Sequence, residues 1–142
     1  MSWLPRWSMA CLTLLFAAQP VWSQEVLDEI YGKGVHAFFA GQSGVALEHF
    51  NEAINAGSRD PRVYYFRGLA NIQQAGALDS GIADFETGAR FEVLGSRTGD
   101  VARALQRIQG PARLELEKVR TKTRLAAKSA QFEQMRSRFE AA

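Results

Sequence analysis

The sequence is poor in the residues from which most active centres and covalent frameworks are built. Its 142 residues contain one cysteine, Cys11, and two histidines, His36 and His49. A single thiol makes neither a disulfide nor a thiolate cage for a metal. Four prolines stand against 12 glycines and 46% of the residues are apolar, which suits one small packed domain and excludes a collagenous chain, a disordered chain or a large multidomain enzyme. Long apolar stretches are also scarce. The run Met9 to Ala18 spans ten residues, about half of the ~20 that a membrane-crossing helix requires.

That run has the layout of an export signal. Arg6 is the one charge before it, Gln19-Pro20 breaks it, and Val21 and Ser23 occupy the small-residue cleavage positions. The expectation is a signal peptide over residues 1–23 that is cut after Ser23, with a cut after Ala18 as the second choice, and a periplasmic or secreted mature chain beginning at Gln24. Cys11 lies inside the apolar core rather than after it, which speaks against a lipid-modified cysteine. Removing 1–23 also removes Trp3, Trp7 and Trp22, the three tryptophans of the chain, together with the thiol. The mature domain then relies on packing alone for stability, in a compartment where disulfides are common.

What is present is an internal repeat. Residues Gly41 to Ala53 align with Gly76 to Gly88 at an offset of 35, and upstream Tyr31-x-x-Gly34 aligns with Tyr65-x-x-Gly68 at an offset of 34. In the first unit the recurring small and large residues are Tyr31, Gly34, Gly41, Ala46, Phe50 and Ala53. In the second they are Tyr65, Gly68, Gly76, Gly81, Phe85 and Gly88. Small residues are expected where two helices approach closely, and aromatic ones where a gap is filled. Apolar spacing agrees: Val45, Leu47, Phe50 and Ile54, and likewise Val63, Phe66, Ala70 and Ile72, recur mostly at intervals of three and four. Asp60-Pro61 reads as a helix start, Ser43 and Asp79 as caps and Gly57 as a stop. Four helices are expected, at about 26–40, 43–56, 61–75 and 78–92.

This order of small and large residues resembles the tetratricopeptide repeat family, in the form of a small exported bacterial member, over roughly residues 26–92. No tryptophan opens either unit, the loop Asn55 to Asp60 is long, and Gly81 and Gly88 stand where that family carries alanine. The resemblance implies an all-α fold, a short α-solenoid of two helix-turn-helix repeats (about 26–57 and 61–92). It also implies a groove lined by the first helix of each repeat, which accepts a peptide or partner helix. The groove residues would be Tyr31, Val35, Phe38, Phe39, Arg62, Tyr65, Leu69, Ile72 and Gln73. Phe38 and Phe39 are adjacent and point about 100° apart, so burying both requires contacts on two sides.

Two stacked pairs leave an apolar end to be covered. Residues 93–110 are expected to supply a loop and a capping helix at 100–109, with Val101, Ala102, Leu105 and Ile108 on one stripe. Gly110-Pro111 ends it. Residues 111–142 contain no further Gly or Pro and favour one long basic helix with a thin apolar stripe. Charge follows this division: residues 24–96 carry 5 Lys/Arg and 10 Asp/Glu, net −5, and residues 97–142 carry 11 and 5, net +6.

Chemistry is hard to place. His36 and His49 fall on different helices without a metal-binding spacing, Gly32-Lys33-Gly34 lacks the length and the preceding strand of a phosphate loop, and Asp84 and Glu86 lie two apart on a helix, facing different ways. The expectation is no catalysis, no cofactor and no metal. Arg62 and Arg67 suit either an acidic ligand or an ordinary ion pair. The function expected is a noncatalytic protein–protein interaction module, a scaffold or adaptor of the cell envelope, with a protein or peptide partner. The alternative is a peripheral binder of anionic membrane or cell-surface polymer that works through the basic C-terminal helix. That helix also suits a solvated face, self-association or docking against the acidic repeat face. Export and the interspersed Glu115, Glu117, Glu133 and Glu140 argue against nucleic acid.

Overall fold

The computed structural model describes residues 22–95 and 101–141, and over these it is all-α. The expected signal peptide, with Cys11, Trp3 and Trp7, lies outside the described residues except for Trp22 and Ser23. Helix α1 is Gln24–Phe39, α2 Ser43–Asn55, α3 Pro61–Ala75, α4 Ile82–Val93, α5 Val101–Ala104 and α6 Pro111–Glu140; a 3₁₀ turn, Leu78–Gly81, leads into α4.

Local chemistry sets most boundaries. Ser23 Oγ accepts from the Val26 amide at the start of α1. Asp60 Oδ1 accepts from the Arg62 amide at 2.9 Å, and Pro61 fills the first position of α3, where no amide hydrogen is needed. Gly57, at φ +88°, closes α2 while the Ser58 amide reaches the Ala53 carbonyl. Two expected caps are corrected. Ser43 is a helical residue whose hydroxyl donates to Gln73 Oε1 at 2.7 Å, joining the start of α2 to the end of α3. Asp79 sits within the 3₁₀ turn, and Gly81 precedes α4 with no side-chain cap.

The two helix pairs share one contact. A Cβ built on Gly34 of α1 would lie 2.5 Å from the Phe50 ring of α2, and one on Gly68 of α3 would lie 2.7 Å from the Phe85 ring of α4. In each pair a missing side chain admits a phenylalanine that is fully buried. The second pair is tight elsewhere too: a Cβ on Gly81 would meet the Gly68 carbonyl at 2.6 Å, and one on Gly88 would meet Tyr65 at 2.8 Å. That crowding explains why glycine, not alanine, stands at 81 and 88. Ala46 and Ala53 are buried on α2. Gly41 and Gly76, expected among the packing residues, are turn residues at φ +77° and +70° with nothing near a built Cβ; they end α1 and α3.

The end cap differs from expectation. Only Val101–Ala104 is helical in the segment expected to form the capping helix, and this turn packs on α3. The covering role belongs to α6, which packs along α4 and buries Leu116, Val119 and the stem of Arg120. Four residues make little more than one turn, too short a rod to cover a two-helix end, whereas 30 residues do so with length to spare. Among the described residues no helix is long and apolar enough to cross a membrane.

Candidate functional site

The groove residues named from the sequence separate into different environments. Tyr65 and Leu69 are core residues, 0% and 3% exposed. Tyr31, Val35, Phe38, Phe39 and Ile72 are half-buried, and Gln73 is exposed but already accepts from Ser43. Phe66 organises this face: its ring meets Phe38 at 5.5 Å, Phe39 and Tyr31 at 6.0 Å and Phe50 at 6.2 Å, mostly edge to face. Phe38 and Phe39 also meet each other, at 5.2 Å. Both adjacent phenylalanines are thus accommodated within the chain.

The same face is occupied. Val101, Leu105 and Ile108 join the core cluster, α5 lies on α3, and the Arg107 guanidinium sits 4.0 Å above the Phe39 ring of α1. The Arg113 guanidinium donates to the Leu105 carbonyl, fastening this strap to the start of α6. The first-helix face therefore carries residues 101–108 of its own chain.

The cations of the helix pairs are engaged. Arg62 Nε donates to both carboxylate oxygens of Asp60, at 2.8 and 3.1 Å, its Nη2 reaches Asp28 at 3.3 Å, and its guanidinium lies 4.5 Å over the Tyr31 ring. Burial pushes the Tyr31 hydroxyl up to about 12. Arg67 donates to Asp84 and to Asn51 Oδ1, and Asn71 donates to the second oxygen of Asp84. Asp84 is thus a buried structural acceptor, whereas Glu86 is exposed. His36 is exposed, and His49 lies 3.7 Å from Glu52. Among the described residues no three His, Cys, Asp or Glu side chains come together as metal ligands.

A polar node that sequence reasoning missed joins three helices. Tyr65 on α3 donates to Glu92 Oε2 on α4 at 2.6 Å, and Arg120 on α6 donates to both oxygens of Glu92 at 2.9 and 2.6 Å and to Glu117 at 2.7 Å. Burial, then the bond to Glu92, pushes the Tyr65 hydroxyl up. Burial works to raise the Glu92 carboxyl but is outweighed by the Arg120 and Tyr65 hydrogen bonds, which hold it below the usual range. Residues 27 and 28 positions apart meet here, a pairing that no local spacing signals.

Helix α6 has two opposite faces. Leu116 (0% exposed), Val119 and Arg120 point to α4, while Leu114, Leu125, Phe132, Met135 and Phe139 are 73, 62, 69, 51 and 78% exposed. Leu116 precedes Leu125 by nine residues, half a turn around the helix; Leu125, Phe132 and Phe139 repeat every seven and form one stripe. From Lys128 to Ala141 every side chain is exposed. Seven-residue spacing is visible in the sequence, but which stripe faces α4 is not. No protein-family model, curated protein or solved structure matches this chain.

Proposed function

We propose that this chain is a noncatalytic interaction module of the cell envelope, built on two tetratricopeptide-like helix pairs and exported after loss of its first residues. It meets its partner through the outer face of α6. The carrying observation is the exposure of Leu125, Phe132, Met135 and Phe139 on one stripe of a helix that runs past its last packed turn. A monomeric domain seldom leaves several large apolar side chains together in water unless something covers them. The repeated Gly34–Phe50 and Gly68–Phe85 contacts support the repeat reading. The groove is the weaker candidate surface, because an incoming peptide competes there with residues 101–108.

Sedimentation of the purified chain with an isolated envelope fraction tests this. A chain ending at Lys128 keeps every buried residue of α6 and loses only exposed ones. It should melt within a few degrees of the full chain yet stay in the supernatant. Retained co-sedimentation of that chain, abolished instead by Phe39→Ala, would overturn this assignment and return the interaction to the groove.

A further inference from the structure

The exposed apolar stripe on α6 is one-sided, and beyond its packed turns it is bordered by more cations than acids; these properties together select a partner. Resting on the reading of α6 given above, we infer that the outer face of this helix lies flat on an anionic lipid surface. Leu114 is eleven residues before Leu125 and shares its bearing, so the stripe runs from Leu114 to Phe139, about 37 Å of helix. The buried face of α6 is turned the other way, towards α4, so the helix reaches a planar surface along its whole length with the helix pairs stacked behind it. An amphipathic helix that bound only after leaving its domain would not need this arrangement.

Charge supports the same partner. Between positions 122 and 138 there are five cations, Lys122, Arg124, Lys128, Arg136 and Arg138, and one carboxylate, Glu133. Lys122, Lys128 and Arg138 make no ion pair among the described residues; Arg124 has a 3.8 Å contact with Glu92 and Arg136 a 3.5 Å contact with Glu140. Each such cation close to an anionic bilayer strengthens binding by about fivefold. The acidic residues are concentrated in 24–96, net −5, on the side of α6 away from the stripe, so repulsion from the bilayer favours the orientation that the stripe requires.

A second copy of this chain is a poorer occupant. A helix packed along the stripe would cover the intervening positions Lys118, Thr121 and Lys128, and two ammonium groups in a helix–helix seam are costly. At a lipid interface the same lysines bury their stems and extend their charge to the headgroups.

The test uses the chain from Gln24 to Ala142 and protein-free vesicles, one set of phosphatidylcholine and one of equal parts phosphatidylcholine and phosphatidylglycerol. Co-sedimentation is expected with the anionic vesicles only, falling as salt shortens the screening length towards ~3 Å. Phe132→Glu with Phe139→Glu should weaken it by roughly a hundredfold, on the loss of two inserted aromatic side chains. Ala130→Glu with Gln134→Glu changes net charge equally on another face and should cost far less. All four positions are exposed, so unchanged melting verifies folding. Equal binding to both vesicle types, or equal loss in both double variants, would overturn the inference. So would a concentration-dependent dimer that the phenylalanine variant dissolves while vesicle binding is absent. If neither vesicle binds but the envelope fraction still captures the chain from Gln24 to Ala142 and not the chain ending at Lys128, the lipid assignment fails and the interaction through α6 stands. Capture of both chains by the envelope fraction removes both.

Discussion

Two glycines on exposed and buried helix faces make opposite statements about the same substitution. Gly32 has nothing within 4 Å of a built Cβ, and Gly68 has both the Phe85 ring and the Gly81 carbonyl within 2.9 Å. Gly32→Ala should therefore stabilise the fold by about 0.5–1 kcal/mol through helix propensity. Gly68→Ala should destabilise it by about 2–3 kcal/mol, because the obstruction includes backbone. Thermal melts followed by circular dichroism measure both. The Glu92 node gives a pH-dependent counterpart. Its carboxyl is held below its ordinary value in the folded state, so its contribution is complete above the unfolded carboxylate pKa and disappears as pH falls through the lowered folded one. Glu92→Gln should cost about 2 kcal/mol at neutral pH by leaving the Arg120 guanidinium underpaired, and should flatten the acid limb of a stability-versus-pH curve. An unchanged acid limb would show that other carboxylates govern it.

At the scale of elements, the strap 101–108 and helix α6 divide between them a task the sequence assigned to one helix. Val101, Leu105 and Ile108 are inside, as their helical spacing predicts, but Ala102, expected on the same stripe, is exposed. That spacing did not reveal that the helix stops at Ala104, nor that the segment lies on α3 with the Arg107 guanidinium over the Phe39 ring of α1. Leu105 is wholly buried, and Leu105→Ala should cost about 2–4 kcal/mol in chemical denaturation, as for a core residue. A loss below ~0.5 kcal/mol would mean that the strap lies loosely on the groove. Helix starts were legible where a short polar side chain preceded proline, as at Asp60-Pro61, and illegible at Ser43, where a distant acceptor on Gln73 took the hydroxyl.

For the molecule as a whole, a packed body and an unpacked helical extension imply two stabilities in one chain. Tyr65, Phe66 and Phe85 are fully buried, whereas residues 128–141 have only their own turns for support. An isolated stretch of that length is marginal as a helix in water. Hydrogen exchange should be slowest in α3 and close to unprotected beyond Lys128, with protection appearing there when anionic vesicles are added. Equal protection along α6 in the free chain would argue that the extension is packed in solution.

The sequence by itself determined the all-helical character and the place of the four helices between residues 24 and 93, because period, glycine spacing and proline position act through neighbours a few residues away. Tertiary structure alone decided that Leu69 belongs to the core and Tyr65 to the core rather than to an open groove, that residues 101–108 cover the first-helix face, and that the Leu125–Phe139 side of α6 is the one left in water. Those outcomes depend on which of several apolar faces pair across 20 residues or more of chain, a competition settled by shape and total buried area that leaves no mark on local spacing.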